Sequence, residues 1–163
     1  MTLTLRPHQT KAVKAMLRNT KGQIIIPTGG GKTMCMIDDA ITEFKSPVMK
    51  TIVVVAPRIL LANQLSAEFL EHITDVAVAH VHSGETHHFS TTNSIDLTHW
   101  NSTNPHYHKL IFTTYHSLHK IQNSMVEVDT IYFDESHNAV QKNFIEAVAV
   151  SYTHLTLPTR LMV

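Results

Sequence analysis

Short runs of largely apolar residues recur along the chain, separated by segments with a different periodicity. The runs are Gln23–Pro27, Thr51–Ala56, Val76–Val81, Lys109–Thr113 and Thr130–Phe133. Strands that are apolar at nearly every position are typical of a parallel sheet that is covered on both faces. We therefore predict that these five runs are the strands of one buried sheet.

The segments between the runs predict helices. Over Lys32–Phe44, apolar residues recur at helical spacing, at Ile37, Ala40, Ile41 and Phe44. A second helix is predicted from about Arg58 to His72, with Leu61, Leu65 and Phe69 on one face, and shorter helices behind Pro7 and from Tyr115. Strands that alternate with helices predict an α/β fold, a parallel sheet with helices on both faces.

One segment carries neither pattern. Gly84 to His108 is polar, rich in Ser, Thr, Asn and His, and Trp100 is its one large apolar anchor. We predict a long irregular loop there.

The composition fits a soluble domain. With 163 residues, 43% of them hydrophobic and 16% charged, the chain is large enough for one domain with a core and is not disordered. No apolar run approaches a membrane span and the N-terminus lacks a signal-peptide pattern, so we expect no membrane and a cytoplasmic location. Cys35 is the single cysteine, which excludes an internal disulfide. The net charge of zero does not indicate nucleic-acid binding.

A glycine-rich segment joins the first predicted strand to the first long helix. It contains Thr28, Gly29, Gly30, Gly31, Lys32 and Thr33. Glycines let successive backbone N–H groups turn toward phosphate oxygens, and the helix that follows adds the positive end of its dipole. Lys32 would reach the β- and γ-phosphates of ATP, and the Thr33 hydroxyl would hold Mg²⁺. The alternative is an ordinary strand-to-helix turn.

An acidic pair follows the last apolar run. Asp134 would stand at a strand end facing Mg²⁺, and Glu135 beside it would orient or deprotonate a water molecule, with Lys32 across the same site. Acidic pairs more often lie on the solvated surface without a catalytic role, but the predicted phosphate-binding segment upstream favours the catalytic interpretation.

Five segments in order resemble the motifs of superfamily 2 helicases and translocases. Pro27–Thr33 resembles motif I, with Ile26 where the general phosphate-loop formula has its first glycine, and Asp134–His137 resembles motif II. Leu5–Gln9, Ala56–Leu61 and Thr113–Leu118 resemble the adenine-reading segment, motif Ia and a later motif near the nucleic acid. The resemblance covers about residues 3 to 148 and is nearest to type III restriction-enzyme motor subunits and related phage-type helicases.

The resemblance implies a RecA-like ATP-binding domain and roles for further residues. Gln9 would read adenine with Arg6 close by, and His137 would couple the nucleotide site to a later motif. The residues implied to touch the phosphate backbone of a nucleic acid, with DNA expected before RNA, are Pro57, Arg58, Gly84, Thr113 and Thr114. The alternative to a nucleic-acid contact for Arg58 is that it is a solvated residue at the start of a helix.

The function implied is that of the ATP-binding half of a helicase or translocase motor, bacterial or encoded by a phage or virus. Such motors need a second RecA-like domain as a partner. Two alternatives stay open: another phosphate-loop ATPase, such as a transport or partitioning enzyme, and a nucleotide-binding fragment without catalysis. The first leaves the Ala-Pro-Arg segment, the Thr-Thr-Tyr segment and His137 unexplained.

The 13 histidines lie mostly between His72 and His119. Pairs such as His80 and His82 or His106 and His108 suggest zinc, but structural zinc sites usually show tighter paired spacing that includes cysteines. We predict loop and surface histidines instead.

The last residues do not continue the family pattern, because Ser151-Tyr152-Thr153 lacks the alanine of the expected Ser/Thr-Ala-Thr motif. Residues 150–159 resemble one reading frame of a transposon-end sequencing adapter, and 160–163 fit the index and stop that follow it. We therefore expect a C-terminally truncated native domain, and an incomplete sheet, over residues 1–149. Residues 150–163 are expected to be a translated adapter that packs poorly, with a genuine strand as the alternative.

Overall fold

The computed structural model describes residues 21–22, 31–84, 86, 88–134 and 160–162. The predicted helix behind Pro7 and the predicted strand Gln23–Pro27 lie outside these residues. The described strands are β1 Lys21–Gly22, β2 Thr51–Ala56, β3 Val76–Val81, β4 Phe89–Thr91, β5 His108–Thr114, β6 Thr130–Phe133 and β7 Arg160–Met162. The described helices are α1 Lys32–Glu43, α2 Ile59–His72, α3 Ser94–Ser102 and α4 Leu118–Gln122.

The strands form one sheet in the order β1-β7-β6-β2-β5-β3-β4, and every described pair is parallel. The predicted parallel α/β sheet is therefore confirmed. In such a sheet the carboxyl ends of the strands lie along one edge, which is where ligands of open α/β folds bind. That edge collects the residues that follow β2, β3, β5 and β6.

Strand β2 lies in the interior of the sheet and supplies side chains to both of its faces. Its residues are buried throughout, and successive side chains point to opposite faces. Ile52 and Val54 pack in a core with α1 and α2, whereas Val53 and Val55 pack in a second core with Leu97, Trp100, Leu118 and Ile121 of α3 and α4. The sheet thus has helices on both faces, as predicted.

Helix α1 is attached to the sheet by polar contacts as well as by its apolar face. Ile37 and Ala40 are fully buried, and so is Asp39, whose carboxylate accepts a hydrogen bond from the Tyr132 hydroxyl. One turn later, Oε1 of Glu43 accepts a 2.8 Å hydrogen bond from the Thr130 hydroxyl of β6. Two carboxylates therefore connect the helix after the glycine-rich segment to the strand before the acidic pair.

The prediction of an irregular loop from Gly84 to His108 was wrong. This stretch contains β4 and α3, and Trp100 is buried as the predicted anchor. The Asn93 side chain caps α3 by accepting hydrogen bonds from the backbone N–H groups of Ile95, at 2.7 Å, and Asp96, at 3.4 Å. Leu97 and Trp100 are the buried apolar residues of α3, too few to give a clear helical period in the sequence.

The C-terminal segment also differs from expectation. Arg160–Met162 were expected to pack poorly, but they form β7, which pairs with β6 on one side and with β1 on the other. Parallel pairing uses backbone N–H and C=O groups that every residue except proline carries, so it places little demand on the side chains. The native boundary at residue 149 and the adapter origin of residues 150–163 stay predictions.

Candidate functional site

The predicted site residues within the described part of the chain lie near one edge of the sheet. Pro57 and Arg58 follow β2, Gly84 follows β3, Thr113 and Thr114 end β5, and Asp134 follows β6. Lys32 and Thr33 begin α1. The predicted residues outside the described part are Arg6, Gln9, Thr28, Gly29, Gly30, Glu135 and His137.

Helix α1 begins directly after a glycine in the left-handed conformation. Gly31 precedes the helix with φ 76° and ψ 41°, the left-handed conformation that side chains disfavour and glycine adopts readily. Lys32 is half-buried, and its Nζ donates a 3.5 Å hydrogen bond to the backbone carbonyl of Phe133 at the end of β6. The lysine ammonium therefore lies beside the strand end that carries the acidic residue.

Asp134 is held by backbone contacts at the end of β6. Its N–H donates a 2.8 Å hydrogen bond to the carbonyl of Val55 in β2, which continues the parallel pairing one residue past the strand. The side chain is half-buried. A carboxylate one residue from the carbonyl that Lys32 contacts is suited to bind a cation next to a bound phosphate.

Arg58 is the exposed cation of the predicted nucleic-acid side. It stands in extended backbone immediately before α2, and its carbonyl accepts the 3.0 Å hydrogen bond of the Ala62 N–H. Pro57 and Gly84 are half-buried. An exposed guanidinium at a helix start can reach a phosphate group without disturbing the core.

The two threonines of the predicted nucleic-acid side are buried. Thr113 has no exposed surface, and its hydroxyl donates a 2.7 Å hydrogen bond to the carbonyl of Val81 in β3. Thr114 is 5% exposed. The Thr113 hydroxyl thus joins β5 to β3, and contact of either threonine with nucleic acid stays a prediction.

Tyr115 has a contact that the sequence did not reveal. The residue follows β5, and its hydroxyl donates a 3.1 Å hydrogen bond to the backbone carbonyl of Asp134. Its ring lies 6.0 Å from that of Phe133, centroid to centroid. The segment that resembles a nucleic-acid motif is therefore joined directly to the acidic residue of the nucleotide motif.

His80 and His82 are buried, so the prediction of surface histidines was wrong for these two. Gly84 N–H donates to His82 Nδ1 at 3.0 Å, so a neutral His82 carries its proton on Nε2. That nitrogen is 3.0 Å from His80 Nδ1, and His80 Nε2 in turn is 3.0 Å from Ser66 Oγ. The contacts form a directed chain of hydrogen bonds from the Ser83–Gly84 turn to α2.

The electrostatics of this chain favour neutral imidazoles. Burial, with added repulsion from His82 and then His88, lowers the pKa of His80 to about 4. Burial also lowers the pKa of His82. Both rings therefore stay uncharged at neutral pH, which preserves the donor and acceptor roles along the chain.

The histidine chain borders a cavity of about 790 Å³ between α2 and the end of β3. Uncharged polar side chains dominate its walls, among them Asn63, Ser66, Ser83 and Thr86. Within the described residues, no group of three or more His, Cys, Asp or Glu side chains is placed to hold a metal ion. No described helix is long and apolar enough to cross a membrane.

The parallel sheet with helices on both faces is the fold of a RecA-like domain. This confirms the resemblance found in the sequence. The chain belongs to the family described as "Type III restriction enzyme, res subunit", which matches residues 2–159. Comparison with curated proteins gives no match.

Solved structures share the fold at low sequence identity. A nuclease-deletion mutant of the type ISP restriction-modification enzyme LlaGI, in complex with a DNA substrate mimic, is similar with TM-score 0.77 and 20% identity, over 98% of this chain and 17% of that one. The type ISP enzyme LlaBIII bound to DNA is similar with TM-score 0.72 and 18% identity, over 98% of this chain and 12% of that one. The UvsW helicase of bacteriophage T4 is similar with TM-score 0.71 and 16% identity, over 98% of this chain and 52% of that one. The chain thus spans a minor part of the restriction enzymes that it resembles.

Proposed function

We propose that this chain is the ATP-binding half of a nucleic-acid helicase or translocase, and that it binds ATP with Mg²⁺ at the start of α1. The observation that carries the proposal is the contact between Lys32 Nζ and the Phe133 carbonyl, one residue before Asp134. Two segments about a hundred residues apart in sequence thereby meet, with the lysine ammonium next to the strand end that Asp134 follows.

The described residues fit the proposed ligands. The N-terminus of α1 presents the positive end of the helix dipole to phosphate oxygens, and Gly31 has no Cβ that would obstruct their approach. Lys32 would hold the phosphates, while Thr33 and Asp134 would hold Mg²⁺. The metal would neutralise phosphate charge, and Glu135 is the proposed base.

The proposed nucleic-acid contacts lie along the same edge of the sheet. Arg58 supplies an exposed positive charge, and the neighbouring Pro57 and Gly84 leave backbone near the surface. Contacts of this kind go to the phosphate backbone and carry little sequence information. DNA is the favoured partner, because LlaGI and LlaBIII, which share the fold, are described in complexes with a DNA substrate mimic and with DNA.

Turnover is proposed to need a second RecA-like domain. Motors of this class hydrolyse ATP in a cleft between two such domains, and the second supplies an arginine worth roughly 10³–10⁵ in rate. We expect the chain alone to bind Mg-ATP weakly and to show almost no hydrolysis or strand displacement. Robust DNA-stimulated hydrolysis by this chain alone would overturn this part of the proposal.

The test of nucleotide binding is a titration of the purified chain with a fluorescent ATP analogue in the presence of Mg²⁺. Lys32→Ala should weaken binding by about tenfold or more, because a hydrogen-bonded charge opposite the phosphates is lost. Lys45→Ala removes an exposed lysine just beyond α1 and is the matched control. Equal affinity of the Lys32→Ala and parental chains, or no binding by the parental chain, would reject the proposal.

A further inference from the structure

We propose that Tyr115 is a positioning residue that transmits nucleic-acid binding to Asp134, an inference that rests on the function proposed above. The contact that motivates it is the 3.1 Å hydrogen bond from the Tyr115 hydroxyl to the Asp134 carbonyl. It joins the segment after β5, on the proposed nucleic-acid side, to the segment after β6, on the proposed nucleotide side.

The backbone of Tyr115 is fixed at the sheet edge. Its N–H donates a 3.1 Å hydrogen bond to the carbonyl of Ala56, the last residue of β2. Strand β2 lies between β5 and β6 in the sheet. The Tyr115 side chain therefore spans the end of β2, and a displacement of the backbone after β5 would carry the hydroxyl with it.

The side chain is held in the orientation that this contact needs. The ring is half-buried, packs against the core formed by β2, α3 and α4, and lies tilted by 34° against the ring of Phe133. A packed ring has few alternative rotamers, so a displacement of the Tyr115 backbone would displace its hydroxyl by a similar distance. The contact is thus a stiff link between two loops.

The link acts on a specific peptide group. Asp134 N–H is bonded to Val55, and Asp134 C=O is bonded to Tyr115, so the backbone of the acidic residue is held from both sides. The carbonyl that Tyr115 contacts belongs to the peptide joining Asp134 to Glu135, which are the proposed metal ligand and the proposed base. Rotation of that peptide would change how both residues are presented.

The inference predicts an energetic coupling that can be measured without turnover. The affinity of the chain for a fluorescent ATP analogue with Mg²⁺ is measured with and without a saturating short DNA duplex. DNA should change that affinity by at least about fivefold, the lower end of typical coupling. In Tyr115→Phe, which keeps the ring and removes the hydroxyl, the ratio of the two affinities should fall to near one.

Tyr107→Phe is the matched control, because Tyr107 is half-exposed in the loop before β5, and it should keep the parental ratio. A parental ratio retained in Tyr115→Phe, or a parental ratio of one, would overturn the inference while leaving nucleotide binding intact. Failure of Tyr115→Phe to fold would show that the hydroxyl serves stability and would also overturn it. Absence of nucleotide binding by the parental chain would instead reject the proposed function itself.

Discussion

The Tyr132 hydroxyl of β6 donates a hydrogen bond to Oδ2 of Asp39 in α1, and both residues are fully buried. The contact joins the strand that ends at the acidic pair to the helix that follows the predicted phosphate-binding segment. Lys32 at the start of α1 and Asp134 after β6 lie close together only if α1 stays packed on β6. The buried contact between Tyr132 and Asp39 therefore stabilises the geometry of the candidate site.

We expect Tyr132→Phe to lower the free energy of unfolding by about 1–3 kcal/mol, the usual cost of removing one partner of a buried hydrogen bond. The substitution keeps the ring, so core packing should be preserved. Urea unfolding followed by circular dichroism measures the change, with Tyr107→Phe as the half-exposed control. A Tyr132→Phe chain as stable as the control would show that this contact contributes nothing.

Stability should depend on pH through His80. Its pKa is lowered from 6.5 to about 4, mainly by burial, so the unfolded chain binds a proton that the folded chain does not. The free energy of unfolding therefore has its full value with respect to His80 above about pH 6.5. It decreases as the pH falls toward 4, by up to about 3 kcal/mol in total. Unfolding midpoints measured between these pH values give the slope.

His80→Gln should flatten that slope, whereas His106→Gln, at an exposed position, should not. An equally steep acid loss of stability in His80→Gln would assign the pH dependence to other groups. The lowered pKa of His82 acts in the same direction, since it too stays neutral when folded and charges when unfolded.

Glu135→Gln should separate binding from turnover in a protein that carries both RecA-like domains. Asp134 is unchanged in this variant, so Mg-ATP should still bind, while loss of the general base should slow hydrolysis by about 10²–10⁴. Single-turnover hydrolysis and nucleotide titration measure the two effects, with the exposed Glu127→Gln as control. Hydrolysis at the parental rate in Glu135→Gln would assign the base to another residue.

The origin of residues 150–163 is decided by the coding DNA. If the segment is a translated adapter, the codons for Val150 to Thr159 should match the adapter at every synonymous position. Synonymous differences would show that the segment was inherited as protein-coding sequence, and its pairing as β7 would then be native.

The strands were the most predictable part of the fold. Thr51–Ala56, Val76–Val81 and Thr130–Phe133 begin and end where the apolar runs do. A strand buried on both faces requires apolar side chains at successive positions, so its ends coincide with the return of polar residues. The same reasoning placed Asp134 and Pro57 at the carboxyl edge of the sheet, where the candidate site lies, because the residues that follow parallel strands form that edge.

The contacts around the site were not predictable in the same way. His80 contacts Ser66 because of how α2 packs on β3, and the Tyr115 hydroxyl contacts the Asp134 carbonyl because of the order of strands in the sheet. Nothing in local sequence gives that order. Asp39 offered a weak signal, since a carboxylate among the buried residues of α1 requires a polar partner on the opposing strand.

Strand β7 stands at an interior position of the sheet, and this changes what a shorter chain would be. Without Arg160–Met162, β1 and β6 would face each other across a gap one strand wide, each with unsatisfied N–H and C=O groups. A gap of that shape accepts any extended segment, including one from a neighbouring molecule. Trimming the chain before residue 160 would therefore create an acceptor for strand exchange in the middle of the domain.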